Sequence, residues 1–258
     1  MARIMLFRHA DQDQGTPILL PDTRRIWVIC FILGAVFWIA GLILWAQGGI
    51  DEAVLFYFNP MRIAMDPMVV WSKWLTSNGM ASITILFVVY LLLSKKLAFL
   101  DAPLTIYLYT ILSFALSGIA GDLLKEALAR PRPAATYGSQ ILALSQSVTP
   151  AIPSGHATKS VALVLPFILL VSNSKNIHKG IKIAIGLIAG GVCLSRIVLG
   201  AHYLSDVLAG IGMALVGLPL SMMFANMILR RMKQEQLPKM SYVWGFLLIF
   251  LTAVFFAL

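Results

Sequence analysis

Long apolar runs separated by short polar breaks constrain this chain more than any other feature. The first extends from Ile26 to about Trp45, roughly the 20 residues an α-helix needs to cross a bilayer. Further runs cover Ala81–Leu93 with its flanks, Pro103 to about Leu124, His156 to about Val171, Ile183 to about Leu199, and a stretch from near His202 to just before Arg230. A last run, Val243–Leu258, is at the short limit for a span. Composition agrees: 59% of residues are hydrophobic and 12% charged, against about 25% charged in a soluble domain. The expected fold is all-α, a polytopic membrane helix bundle with a six-helix core and a seventh, C-terminal transmembrane helix. It forms a single domain: 1–25 an N-terminal cytoplasmic segment, 26–229 the core, and 230–258 a basic linker and extra helix. The first span is expected to be uncleaved, because its apolar core starts too late for a secretory signal.

Between the first two spans, Gly48–Gly79 mixes Asp51, Glu52, Pro60, Asp66 and Pro67 with aromatic and Met residues. It reads as a surface-lying linker carrying a short amphipathic helix, with Trp71 and Trp74 at the membrane interface. Ala134–Ile152 reads as a loop. Cys30 and Cys193 each lie inside an apolar run, where a buried inert thiol is expected. They lack the paired spacing of a zinc site.

The net charge of +9 has no long soluble basic stretch to bind nucleic acid. Cytoplasmic loops and an anionic substrate explain it better. With the N-terminus in the cytoplasm, thirteen of the 20 Lys and Arg fall on the cytoplasmic side, among them Arg3, Arg8, Lys95, Lys96, Lys175, Lys179 and Lys182. The other seven are Arg62, Lys73, Lys125, Arg130, Arg132, Lys159 and Arg196. This layout satisfies the positive-inside rule and puts three polar clusters on the non-cytoplasmic face.

Those clusters are Lys125 to Pro133, Pro153-Ser154-Gly155-His156, and Ser195-Arg196 followed by His202 and Asp206. Charged groups beside membrane segments default to a functional reading. His202 and Asp206 are four apart and would share a helix face, where the carboxylate could fix the imidazole tautomer of a nucleophile. Taken alone, the pair reads equally as a structural contact at a helix start. Ser154 is a favoured N-cap, Gly155 permits close backbone approach, and a helix N-terminus binds anions. His156 in that first turn could act as a general acid, or face headgroups. Lys125, Arg132 and Arg196 could stabilise a phosphoryl group in flight. Arg130 reads as snorkelling or contacting headgroups.

Together the clusters resemble the type 2 phosphatidic acid phosphatase superfamily. Its three-part signature is Lys, six residues, Arg-Pro; Pro-Ser-Gly-His; and Ser-Arg, five residues, His, three residues, Asp. Lys125, Arg132 and Pro133, then Pro153 to His156, then Ser195, Arg196, His202 and Asp206 fill every position. The resemblance implies metal-independent cleavage of a phosphate ester or diphosphate, with no cofactor. It casts His202 as the nucleophile forming a phosphohistidine, Asp206 as its orienting group and His156 as the acid for the leaving group. Lys125, Arg132, Ser154, Gly155 and Arg196 would hold the phosphate. Lys159, one turn beyond His156, is an additional cation whose role stays open between structure and substrate contact.

The expected substrate is a phosphorylated membrane lipid: polyprenyl diphosphate, phosphatidic acid, phosphatidylglycerol phosphate or a lipid A-type glycolipid. The partners are that lipid and the bilayer, with no nucleic acid and no obligate protein. The expected location is a bacterial inner membrane with the clusters facing outward. A lipid phosphotransferase sharing the phosphohistidine is the first rival. A non-catalytic anionic-lipid transporter is the second, though it has no use for the paired His202 and Asp206.

Overall fold

The computed structural model describes residues 24–59, 65–94, 104–144, 148–171 and 176–257. Those residues form α1 (Arg24–Gln47), α2 (Gly49–Phe58), α3 (Pro67–Ser94), α4 (Ile106–Leu128), α5 (Pro133–Tyr137), α6 (Gly155–Leu170), α7 (Asn176–Val198), α8 (Leu204–Leu229) and α9 (Leu237–Ala257). The protein is an all-helical membrane bundle. By length and composition α1, α4, α7, α8 and α9 are each able to cross a membrane. Arg3, Arg8, Pro60, Arg62, Lys95, Lys96, Pro103, Asn173, Lys175 and Leu258 lie outside the described residues.

The apolar runs became helices, but several boundaries moved. α3 has 28 residues and begins at Pro67, so the second half of the expected surface linker is helix. Trp71 and Trp74 lie on its first turns, exposed and edge-to-face at 6.2 Å. α2 is the expected short helix, yet its Asp51 is buried. Part of the expected loop after Pro133 is helical: α5 starts on a proline, whose fixed φ suits a first helical turn. α7 begins at Asn176, ahead of Ile183, so Lys179 and Lys182 are helical and not linker. His178 in its first turn is buried against the Tyr90 hydroxyl, 2.9 Å away. α9 spans 21 residues and includes Lys239.

α4, α6 and α8 pack on one another at the centre, with α1 against α8, α7 against α3 and α6, and α9 against α3 and α4. The contact of α1 with α8 rests on small residues, which let helix backbones approach closely in a membrane protein. A Cβ on Gly212 would sit 2.8 Å from the Gly34 carbonyl oxygen. The main apolar core joins Met80, Ile83, Phe87, Phe114, Leu163, Phe167, Leu218 and Met222. Phe87 stacks on Phe167 with centroids 5.3 Å apart, and Tyr90 meets the same ring edge-on. Trp244 and Leu248 of α9 are buried in this core. Outward faces carry apolar side chains such as Val28, Ile32 and Leu187, as lipid contact requires. Cys30 and Cys193 are free and buried.

α6 has only 16 residues, about 24 Å of helix against a hydrocarbon core of roughly 30 Å. Its first residues are therefore not carried out beyond the bundle: Ser154 and Gly155 are buried.

Candidate active site

The last turn of α4, the first turn of α6, the last turn of α7 and the segment entering α8 meet at one end of the bundle. Backbone bonds fix this meeting. The Ser154 N–H donates to the Asp206 carbonyl at 2.9 Å, the Ala151 N–H to Arg130 at 2.8 Å, and the His202 N–H to Arg196 at 3.1 Å. The Ile152–Pro153 peptide is cis. Asn59 adds a three-way tie: its amide donates to Val198 and Leu142 carbonyls and accepts from the Leu142 N–H, all within 3.0 Å.

His202 is buried, and it precedes α8 instead of lying on it. The expected shared helix face is thus replaced by an extended residue, Tyr203, that folds His202 back beside the first turn. Nδ1 of His202 stands 3.4 Å from Oδ2 of Asp206. That is ion-pair range, but no hydrogen bond is formed there. The same Oδ2 accepts the Tyr203 N–H at 2.9 Å, so Asp206 also closes a capping box on α8. Nε2 of His202 points toward the Arg132 guanidinium, 3.4 Å from Nη1. Burial, then the Arg132 and Arg196 cations, hold the His202 pKa well below the usual histidine value.

Arg132 is anchored by Thr149, donating from Nε to its carbonyl at 2.7 Å and from Nη2 to its hydroxyl at 2.9 Å. Arg196 is buried, with Nη1 3.1 Å from the Thr76 hydroxyl. Thr76 in turn meets the Ser195 hydroxyl at 2.7 Å. Nε of Arg196 and Oγ of Ser154 are buried without a hydrogen-bond partner among the described residues. Ser154 occupies the N-cap position, but its side chain does not cap the helix. Its hydroxyl is left for something else, which corrects the capping reading. Orphaned buried donors are rare, and at a helix N-terminus they fit an anion.

His156 lies in the first turn of α6, with Arg196, His202, Lys125 and Lys159 around it. Lys125 belongs to the last turn of α4 and lies against Gly155, where a Cβ would come 3.1 Å from Nζ. Lys125 and Lys159 share Asp122, at 3.2 and 3.1 Å. Lys159 is therefore at least a structural cation, laid across α4 to reach Asp122.

Arg130 corrects the sequence reading most. It neither snorkels nor meets headgroups: it is buried, with Nη1 2.5 Å from Asp206 Oδ1 and Nη2 2.8 Å from Asp51 Oδ2. Its guanidinium lies 4.0 Å from the Tyr203 ring centroid and 5.3 Å from that of Trp45. Ser205 completes the group, donating its N–H to Asp51 Oδ1 at 2.8 Å and its hydroxyl to Asp51 Oδ2. Sequence reasoning missed Asp51, Ser205 and Asn59. The available signal was Asp51, an acid beside Glu52 in the otherwise apolar stretch Gly49–Phe58.

All eight residues singled out for the site meet at this end: Lys125 from the last turn of α4, Arg132 just before α5, Ser154, Gly155 and His156 at the start of α6, Arg196 from the last turn of α7, His202 just before α8 and Asp206 in its first turn. Among the described residues no group of three or more His, Cys, Asp and Glu side chains could hold a metal ion. What the geometry defines is a membrane helix bundle with a buried, cation-rich site at one end. Residues 106–230, which hold all three clusters, match the PAP2 superfamily. A lipid A 1-phosphatase from Rhizobium etli is 30% identical over 122 residues, 46% of this chain and 49% of that protein. One from Rhizobium johnstonii is 30% identical over 107 residues, 40% of this chain and 41% of that protein. The chain thus spans about half the length or less of these curated relatives. The fold resembles the crystal structure of a transmembrane PAP2-type phosphatidylglycerolphosphate phosphatase from Bacillus subtilis. The TM-score is 0.53 at 21% identity, over 78% of this chain and 96% of that one.

Proposed function

We propose that the protein is a membrane lipid phosphatase acting through a phosphohistidine. The observation that carries this reading is the setting of His202. Its Nε2 faces Arg132, while Ser154 Oγ and Arg196 Nε remain unpartnered in the same buried site. A phosphate bound there meets the cations and the N-terminus of α6, which match its charge without further help. Nε2 of His202 forms a bond to phosphorus as the bond from phosphorus to the lipid oxygen breaks. His156 gives its proton to that oxygen. Water, losing a proton to His156, then attacks phosphorus and releases phosphate and neutral His202. Asp206 steadies the positive charge that develops on the ring.

The catalytic core is residues 26–229, and 230–258 adds the linker and α9. The substrate class is a lipid phosphate monoester or diphosphate. The names of the relatives support two members of it, lipid A 1-phosphate and phosphatidylglycerol phosphate. The site is assigned to the outer face of a bacterial inner membrane, on the distribution of Lys and Arg.

The test is inorganic phosphate release by purified protein from lipid A, polyprenyl diphosphate, phosphatidic acid and phosphatidylglycerol phosphate. We expect release from at least one lipid, unaffected by EDTA and lost in His202→Ala. Loss with EDTA overturns the metal-free mechanism. Phosphate moved to a second lipid, with none set free, makes the protein a phosphotransferase.

A further inference from the structure

We infer that Asp51, acting through Arg130, is a positioning residue for Asp206; the inference rests on the phosphatase reading. Arg130 is gripped at every point. Its carbonyl accepts the Ala151 N–H at 2.8 Å, and its guanidinium lies over the rings of Tyr203 and Trp45. Its two terminal nitrogens go to different carboxylates, Nη1 to Asp206 Oδ1 and also to the Ser205 hydroxyl, and Nη2 to Asp51 Oδ2. Both carboxylates are buried.

A buried guanidinium needs only one carboxylate for neutrality, and a second costs desolvation. What the second does here is geometric. A planar Arg fork beside a single carboxylate pairs with both of its oxygens. Asp51 takes one prong, so Arg130 reaches only Oδ1 of Asp206. Oδ2 is left for the Tyr203 N–H and for the side facing His202 Nδ1. Asp51 is itself locked, because Ser205 donates both its N–H and its hydroxyl to it. Ser205 lies between His202 and Asp206 in sequence, so the lock and the acid are on the same helical turn. Without Asp51, Arg130 closes on both oxygens of Asp206 and draws Oδ2 away from the histidine.

The experiment measures kcat and KM with radiolabelled lipid phosphate for the wild type, Asp51→Asn, Asp206→Asn and the double variant. A fall of about 10-fold or more is expected in kcat for Asp51→Asn, within the range that residues of one contacting network show. KM stays within about twofold of the wild type, and in the Asp206→Asn background the added change shrinks to about twofold, as coupled neighbours require. An Asp51→Asn variant with full kcat overturns the inference and leaves the phosphatase reading standing. So does a loss seen in KM alone, or one that persists undiminished in the Asp206→Asn background. Wild-type protein that releases no phosphate overturns both. If Asp51→Asn does not fold in detergent, Ser205→Ala decides: lowered kcat at unchanged KM supports the lock, and unchanged kcat sinks it.

Discussion

His202 sits in a setting that disfavours its own protonation. It is buried, with Arg132 and Arg196 as the nearest cations. An imidazole that attacks phosphorus must be neutral, so a depressed pKa keeps it competent as pH falls through the usual histidine value of 6.5. The acid limb of kcat/KM belonging to this group therefore lies below that value, with rate rising as pH rises through it. Arg132→Gln removes the larger cationic influence, restores some stability to the imidazolium and moves the limb to higher pH. A limb that stays put in that variant means the cation does not set it. What was legible in the sequence is which residues come together: His202, Asp206, His156 and Arg132 gather at one end of the bundle. Arg130 was not legible. An arginine two residues from another, at the end of an apolar run, looks the same whether it reaches toward water or turns inward. The partner that turns it inward, Asp51, is 79 residues away.

At the scale of elements, hydropathy gave helices and missed how far they extend. α3 was hidden because Lys73, Ser77 and Asn78 interrupt the apolar signal in its first turns, whereas a helix ends only where its backbone cannot continue. Four-residue spacing is the helical signal and puts His202 on a helix with Asp206, yet a capping box beside a loop brings the same two residues together. The crossing of α6 and α8 is tighter than sequence could tell. A Cβ on Gly210 would lie 2.8 Å from the Ser154 carbonyl oxygen and 3.1 Å from the Ala157 Cβ. Overpacking of this sort costs about 1–3 kcal/mol, so Gly210→Ala should lower the thermal unfolding midpoint in detergent. Activity should fall as well, because the Ser154 N–H meets Asp206 across the same contact. Gly190, where a Cβ meets nothing within 4 Å, is the matching control; equal losses at both positions would remove the close-packing argument.

The whole molecule gathers its buried charged site at one end and sets apolar side chains over its sides. Which way that end faces is open to chemical labelling. Val148, in the segment between α5 and α6, is 99% exposed, and the two native cysteines are buried. A Val148→Cys variant should react with a membrane-impermeant maleimide on intact spheroplasts. Labelling only after the membrane is broken reverses the proposed orientation. The seventh helix also takes a larger part than its place outside the expected six-helix core suggested. Thr252 on α9 bonds Thr84 on α3 at 3.0 Å, and Trp244 and Leu248 fill the common core.

The ties made by α2 bear on how the chain is assembled in the cell. Asp51 finds Ser205 154 residues later, and Asn59 finds the Val198 carbonyl 139 residues later. At ordinary translation rates the partners follow by roughly 8 to 30 seconds. Until then a carboxylate and an amide destined for burial must stay hydrated at the membrane surface. α2 is therefore among the last parts to settle although it is among the first to be made, and the site comes into being when α8 arrives to collect it.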